Sequence, residues 1–242
     1  MCRMFGIVAE APRRLAPWMI EIEPTMRSLS LADNSGKSNA DGWGVGWYDD
    51  RPGEPHVVKE PSPASESPLF VETAQSVSAC VALAHIRRSS GTPRAPANTH
   101  PFSAGRWLFS HNGHCSRDRI VEYLVPRYRD RLQGETDSEA YFALLLQHID
   151  TAADIVSGLQ GALREVMAAR DYTGLNFLLS DGTEIYAFHY SVDPERHGMV
   201  LQHGTGQELV ASEPVGAGAW EAVPNGALAI LTPSGHTLTQ LV

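Results

Sequence analysis

The chain has 242 residues and a formal net charge of −9, from 19 Lys and Arg against 28 Asp and Glu. This length suits one compact domain, and we expect a single domain over residues 1–242. Hydrophobic residues make up 43% and charged residues 19% of the chain, so a largely disordered protein is excluded. The acidic balance argues against a nucleic-acid-binding protein, because binding to phosphates requires a basic face.

The cysteine content and the apolar stretches indicate the compartment. The three cysteines, Cys2, Cys80 and Cys115, do not form a disulfide framework and fit a reducing environment. No apolar stretch approaches the roughly 20 residues that a membrane helix needs, and the first one is too short for a signal sequence. We therefore expect a cytoplasmic protein that contacts no membrane.

The first half of the chain predicts strands separated by short helices and polar loops. A buried strand starts at Cys2, and a helix over 18–31 should break at Pro24. Gly44 and Gly46 lie inside the next strand, where they predict close approach of another backbone. The remaining predictions up to residue 128 are strands at 43–48, 57–59, 80–86 and 107–111, and helices at 69–76 and 120–128, the second broken near Pro126.

The second half predicts two helices and then a series of strands. The helices cover 138–148 and 152–169, with leucines and isoleucines at helical spacing. Asp181-Gly182 lies between two apolar runs and indicates a hairpin. The strands of this half are 175–180, 185–190, 199–202, 209–211 and 227–231. Together, the elements indicate two sheets covered by helices.

Cys2 directly follows Met1, so removal of Met1 would leave one residue with both a thiol and a free α-amine. The ordinary pKa of such an amine is about 7.7–8.0, so a neutral minority at pH 7 can accept the proton of the thiol, whose ordinary pKa is about 8.5. This is the arrangement of an N-terminal nucleophile. The alternative is a small buried residue in a first strand.

Three further motifs have the residue types that acyl transfer on a charged substrate needs. A strand ending at Asn112-Gly113 can aim a side-chain amide and a backbone N–H at one oxyanion, although Asn-Gly is also a common turn. Arg87, at the end of another strand, can bind a carboxylate through two hydrogen bonds or form a rim salt bridge. Before the helix at 138–148, Thr136 or Asp137 can act as the N-cap with Glu139 completing a capping box, and a capping acid can also hold an ammonium group.

A metal site is the competing interpretation of the histidines. His111, His114 and Cys115 lie close together in sequence, with His85 and His100 upstream. A zinc site normally has a second ligand pair at a conventional spacing, which this stretch lacks. We therefore expect no metal and no other cofactor.

In this order the motifs resemble the class II glutamine amidotransferases, whose domain is an N-terminal-nucleophile hydrolase. The resemblance implies an α+β fold, a four-layer αββα sandwich of two mainly antiparallel sheets. It is greatest to the stand-alone members, among them the γ-glutamyl amidohydrolase of ergothioneine synthesis. The fragments that carry it are Met1-Cys2-Arg3, 39–47, His85-Ile86-Arg87, 98–102, His111-Asn112-Gly113, 135–139, Leu175-Asn176-Phe177 and 211–214.

The resemblance implies a role for each site residue. Cys2 matches the nucleophile and its amine the base, while the Asn112 side chain and the Gly113 N–H match the oxyanion hole. Arg87 matches the residue that holds the glutamyl α-carboxylate, and Asp137 the one that holds the α-ammonium. His100 matches a position that shapes the site.

The expected activity is hydrolysis of a γ-glutamyl amide bond through a Cys2 thioester, without a cofactor. The alternative within the same family is a glutaminase subunit that supplies ammonia to a separate synthetase partner. A non-catalytic version of the fold is a further alternative, which the presence of all the matched residues disfavours. The chain departs from the synthase-linked members after Arg87, where Arg88-Ser89-Ser90 replaces their Trp-Ala-Thr.

Overall fold

The computed structural model describes residues 2–49, 53–89, 91–194 and 197–242. The expected removal of Met1 and the Ser90 position of the departing segment lie outside the described residues.

Two antiparallel sheets form the centre of the molecule. Sheet A has the spatial strand order β11-β9-β10-β1-β4-β2-β3, and sheet B the order β13-β12-β8-β7-β6-β5. The strands of sheet A are β1 (Arg3–Arg14), β2 (Gly42–Trp47), β3 (His56–Glu60), β4 (Ser78–Arg87), β9 (Val200–Gly204), β10 (Gln207–Ala211) and β11 (Glu221–Ala222). Those of sheet B are β5 (Phe102–Ala104), β6 (Trp107–Cys115), β7 (Tyr172–Ser180), β8 (Ile185–His189), β12 (Ala227–Thr232) and β13 (Gly235–Gln240).

Helices cover the outer face of each sheet, so that the molecule has four layers. In β1, Phe5 and Ile7 pack towards the helices outside sheet A, while Met4 and Val8 pack between the sheets. This alternation follows from the two-residue period of a strand, which supplies both core layers from one segment. The expected αββα fold is confirmed. The helices are α1 (Met26–Leu31) and α2 (Pro68–Ser76) on sheet A, and α3 (Arg117–Tyr123), α4 (Pro126–Arg129), α5 (Asp137–Ile149) and α6 (Ile155–Ala168) on sheet B.

Prolines divide two of the helical segments as the sequence predicts. A five-residue π-helical turn over Pro17–Glu21 ends before Pro24, and α1 then starts with Thr25 as its N-cap. The Thr25 side chain accepts a hydrogen bond from the Ser28 N–H at 3.0 Å. Pro126 starts α4 as a separate short helix, because proline lacks the N–H that a helix interior needs.

The glycines of β2 allow sheet A to approach the segment that leads into β5. A Cβ on Gly44 would lie 2.2 Å from the carbonyl oxygen of His100, and one on Gly46 would lie 2.8 Å from the Leu108 side chain. Real Cβ atoms do not approach other atoms so closely, so the close backbone approach predicted at Gly44 is confirmed, whereas Gly46 makes room for side chains. It positions His100 against the strand that neighbours β4.

Asn112-Gly113 does not end a strand, which corrects the sequence prediction. β6 continues to Cys115, with Asn112 opposite Asn176 and Gly113 opposite Leu175 on β7. The register shifts only between His114 and Cys115. Gly113 has a φ of +146°, and a Cβ there would lie 2.0 Å from a backbone oxygen. The glycine is therefore needed for close strand pairing and not for a turn.

Three strands escaped prediction because they are short or largely exposed. β5 has three residues and β11 has two, below the length at which alternation is readable. β13 has four exposed residues among its six, so it lacks an apolar period. None of the helices in the described ranges is long and apolar enough to span a membrane.

Candidate functional site

Cys2 lies at the open end of the central strand pair of sheet A. Arg3 of β1 pairs with Ile86 of β4, which places Cys2 beside Arg87 and Arg88. The half-buried Cys2 Sγ accepts a hydrogen bond from the Arg88 N–H at 3.2 Å and lies 3.4 Å from the Arg88 carbonyl oxygen. The main chain of the residue after Arg87 therefore fixes the position of the sulfur.

The environment of Cys2 has opposing effects on its ionisation. Burial raises the pKa of the Cys2 thiol, and this effect exceeds the lowering by the Arg88 N–H and by the positive charges of Arg87 and Arg3. The thiol is thus neutral at rest, and a nucleophilic role requires a base close to the sulfur.

Asn112 connects sheet B to the same point. Its Nδ2 donates to the carbonyl oxygen of Cys2 at 2.9 Å, across the gap between β6 and β1. A side-chain amide has two N–H groups, and the second makes no hydrogen bond to the described residues. The structure therefore brings Cys2 and the Asn112-Gly113 pair together, as the sequence predicts.

Arg87 is a buried residue whose guanidinium is held by the segment that follows it. Nη1 donates to the Asp41 carbonyl at 3.3 Å, and Nη2 donates to the Thr92 hydroxyl at 2.6 Å and to the Ser89 hydroxyl at 3.3 Å. The Nε–H makes no hydrogen bond within the described chain, so donor capacity remains. Ser89, within the departing segment, and Thr92, just beyond it, thus hold the Arg87 guanidinium in place.

Asp137 is the first residue of α5, and its carboxylate faces the end of β6. Thr136 is the N-cap, since its hydroxyl accepts the Glu139 N–H at 3.2 Å. The Glu139 carboxylate accepts from two preceding N–H groups instead of completing a capping box. Asp137 accepts from the Cys115 N–H at 2.9 Å and lies 3.2 Å from His114 Nδ1.

The two groups of the Asp137–His114 pair shift in opposite directions. Burial by itself raises the pKa of Asp137, but the hydrogen bond from His114, the nearby His111 and the Cys115 N–H outweigh it, and the pKa is lowered. The hydrogen bond to Asp137 raises the pKa of His114. The carboxylate is therefore ionised at neutral pH. Cys115 is three residues beyond Asn112, so the anionic end of the site lies about 10 Å along β6 from the amide.

His100 is a buried residue that packs against β4. Its ring packs against His85 with the ring centroids 4.1 Å apart. Neither ring makes a hydrogen bond to the described residues, and the same holds for the buried Ser110 hydroxyl. Burial is the main cause that lowers the pKa of both histidines, of His85 to about 3, so both are neutral.

The potential metal ligands that the structure brings together differ in part from those considered in the sequence, because Asp137 takes the place of His114. His111, Cys115 and Asp137 have potential ligand atoms within 4.8 Å of one another. Both His111 ring nitrogens already contact protein oxygens, Ser138 Oγ at 2.9 Å and the Gly174 carbonyl at 3.2 Å. Burial raises the pKa of the Cys115 thiol well above its ordinary value. His111 and Asp137 are thus already engaged in hydrogen bonds with described residues, and the buried Cys115 thiol is held in its protonated form.

A buried ion cluster beside Cys2 was missed by the sequence analysis. Arg3 contacts Glu213 at 2.6 Å and Asp33 at 2.9 Å, and its Nη1 donates to the Cys2 carbonyl at 3.0 Å. The Asn34 side chain also accepts from Arg3, at 3.2 Å. Arg3 and Glu213 both lie within the sequence fragments that carry the family resemblance, but only the fold shows that they are in contact.

The family model of the class II glutamine amidotransferases matches residues 1–199. The γ-glutamyl-hercynylcysteine sulfoxide hydrolase of Mycobacterium tuberculosis is 30% identical over all of this chain and 97% of its own length. The probable glutamine amidotransferase DUG3 of Saccharomyces cerevisiae is 26% identical over 88% of this chain and 70% of its own.

A solved structure agrees with these sequence relatives. A glutamine amidotransferase class-II domain protein from Silicibacter pomeroyi superposes with a TM-score of 0.74 at 24% identity, covering 99% of each chain. At that identity the likeness shows the fold alone. Together with the family match, it shows that the chain belongs to the class II glutamine amidotransferases and is an amidohydrolase of that family.

Proposed function

We propose that the protein hydrolyses a γ-glutamyl amide bond, with Cys2 as the nucleophile. The observation that carries the proposal is the meeting of Cys2, Arg88 and Asn112 at one point between the two sheets. The family and the hydrolase relatives support γ-glutamyl amide chemistry in general. The residue roles and the covalent step below are part of the proposal.

Two charged groups position the substrate. Arg87 binds the α-carboxylate of the glutamyl group with the donor capacity that Ser89 and Thr92 leave free, and Asp137 binds the α-ammonium. Arg87 ends β4 of sheet A, whereas Asp137 begins α5, which packs on sheet B, so the zwitterionic end of the substrate bridges the two. Fixing this end orients the γ-carbonyl over Cys2, which lowers the entropic part of the barrier.

The covalent step follows from the neutral thiol. After removal of Met1, the α-amine of Cys2 takes the thiol proton, and the sulfur forms a bond to the γ-carbonyl carbon. The free N–H of Asn112 and the N–H of Gly113 stabilise the oxyanion, and losing one such donor typically costs about 3 kcal/mol of barrier. The amine then protonates the departing nitrogen, and water releases glutamate from the thioester.

Replacement of Cys2 by alanine tests the nucleophile. We expect Cys2→Ala to abolish glutamate release from γ-glutamyl substrates while the unfolding transition is retained. Mass spectrometry of wild-type protein quenched with acid during turnover should find an added γ-glutamyl group on Cys2. Cys80→Ala is the matched control, since this half-buried thiol lies in the same sheet and should be dispensable. Full activity of Cys2→Ala would contradict the mechanism.

A substrate panel separates the two activities available to the family. Glutamine and a series of γ-glutamyl dipeptides are given to the purified protein, whose processed N-terminus is first verified by mass spectrometry. Strong dipeptide cleavage by the protein alone supports the hydrolase. Inactivity that is relieved only by a second protein would instead indicate a glutaminase subunit that supplies ammonia.

A further inference from the structure

A cavity of about 740 Å³ opens on the edge of sheet B, away from the proposed amidase site. It lies between β5, the turn before β6, the residues after α4, and one face of α5. Cys2, Arg87, Asn112 and Asp137 do not line it. Its volume falls in the range of about 300–1,000 Å³ that is typical of small-molecule sites.

Four aromatic side chains contribute to the apolar wall. Phe102 and Trp107 come from the β5–β6 hairpin, Phe142 from α5 and Tyr128 from α4. They belong to the core that joins sheet B to its helices. A flat or branched apolar group would gain contact area here without rearranging the protein.

The carboxylates around this cavity are already engaged. The two oxygens of Glu139 accept the N–H groups of Gln133 and Gly134, at 2.8 and 2.7 Å. Asp150 accepts a hydrogen bond from the Tyr128 hydroxyl. Asp130 lies 3.6 Å from the Arg129 guanidinium. The acidic groups therefore have little capacity left for a cationic ligand.

The cationic groups of the wall are not fully engaged. Lys59 Nζ donates to the Thr99 carbonyl at 2.8 Å and, at 3.4 Å, to that of Pro101, which leaves one of its three N–H groups without a partner in the described ranges. This ammonium lies 5.4 Å from the centre of the Phe102 ring. Burial lowers the pKa of Lys59, and the Glu139 carboxylate opposes this effect. Arg131 makes no ion pair with a described residue.

We propose that this cavity binds a small aromatic or branched aliphatic monocarboxylate. The ligand carboxylate accepts the free N–H of Lys59, and its apolar body packs between Phe102, Trp107 and Phe142. An anion at this point relieves the desolvation of a half-buried ammonium, which a neutral ligand cannot do. The site is separate from the γ-glutamyl site and does not depend on the chemistry at Cys2.

Binding of phenylacetate to the full-length protein tests the proposal, with phenylacetamide as the neutral isostere. We expect titration calorimetry to show saturable binding of the acid, about ten-fold or more tighter than that of the amide, as a charge-assisted hydrogen bond implies. Lys59→Met keeps the aliphatic stem and should lose this preference. Lys37→Met is the control, because Lys37 is the other lysine of the chain and is exposed.

A second variant keeps the test decisive if Lys59→Met fails to fold. Ala143 lines the cavity from α5, so Ala143→Phe should fill it and abolish binding of both probes while the unfolding temperature is retained. Equal affinity for acid and amide, unchanged binding to either variant, or no saturable binding of phenylacetate to the wild-type protein would overturn the proposal.

Discussion

Two buried polar clusters involve the paired strands β1 and β4, and they are built in opposite ways. In one, Arg3 has the charged partners Asp33 and Glu213. In the other, His85 and His100 pack ring against ring without a hydrogen bond to the described residues. The first cluster keeps its charges by pairing them, and the second avoids charge altogether.

The physical chemistry of burial explains the difference. A guanidinium cannot lose its proton, so a buried arginine needs anionic partners. Burial raises the pKa of Asp33, but its bonds to Ser35, the Lys37 N–H and the charge of Arg3 outweigh this and hold it well below its ordinary range. A histidine can give up its proton, and burial makes His85 and His100 do so.

The two clusters are therefore expected to have different roles, one in positioning the Cys2 main chain and the other in packing. Arg3 donates to the Cys2 carbonyl that also accepts from Asn112, so the ion cluster positions the main chain of the candidate nucleophile. The histidine pair fills space between β2, β4 and the segment before β5. Breaking the first should therefore impair both stability and catalysis, whereas changing the second should act mainly on stability.

The largest effect is expected for Glu213→Ala. It leaves Arg3 with Asp33 as its remaining carboxylate in a buried site, and removing one partner of a buried pair typically costs 3–5 kcal/mol. We expect about 3 kcal/mol in the free energy of unfolding, measured with denaturant, and a loss of kcat/KM. Glu21→Ala breaks the exposed pair with Arg14 and should cost less than about 1 kcal/mol. Equal stability costs for the two variants would contradict the buried ion pair, and an unchanged kcat/KM in Glu213→Ala would contradict a positioning role for the cluster.

A medium effect is expected for His85→Phe, visible in the pH dependence of stability. Between the unfolded pKa of about 6.5 and the folded value of about 3, the unfolded chain binds one more proton at this residue, so the free energy of unfolding falls as pH falls. The variant should remove about 1.4 kcal/mol per pH unit from this slope below pH 6. His56→Gln, at an exposed position, serves as the control for loss of a histidine. A slope in His85→Phe equal to that of the wild type would show that His85 is charged in the fold.

The smallest effect is expected at the half-exposed Asp137–His114 pair. This pair contains both a carboxylate, as the Arg3 cluster does, and a histidine, as the other cluster does. His114→Ala removes the hydrogen bond that lowers the pKa of Asp137, so the carboxylate should take up a proton at a higher pH. As the pH is lowered, kcat/KM should fall first when the Cys2 amine is protonated and again, at lower pH, when Asp137 is protonated. In the variant this second fall should move to higher pH. An unmoved second fall would remove Asp137 from substrate binding. His56→Ala serves as the control for loss of a histidine elsewhere.

Much of the fold and part of the site could be predicted from the sequence. The breaks at Pro24 and Pro126 and the close approach at Gly44 and Gly46 follow from local backbone rules. The prediction that the strand ends at Asn112-Gly113 was wrong. Pairing with β7 extends the strand through a residue pair that favours turns in isolation. Tertiary pairing overrides local preference in such segments.

The sequence by itself determined the alternation of buried residues and the local preferences of the chain, since both depend on near neighbours. The tertiary structure decided which charges meet. Arg3 and Glu213 are 210 positions apart, and Cys2 and Asn112 are 110 apart. Such contacts depend on the order in which strands join a sheet, which no local pattern encodes. For the same reason the contact of Lys59, one of only two lysines, with the segment before β5 is visible only in the fold.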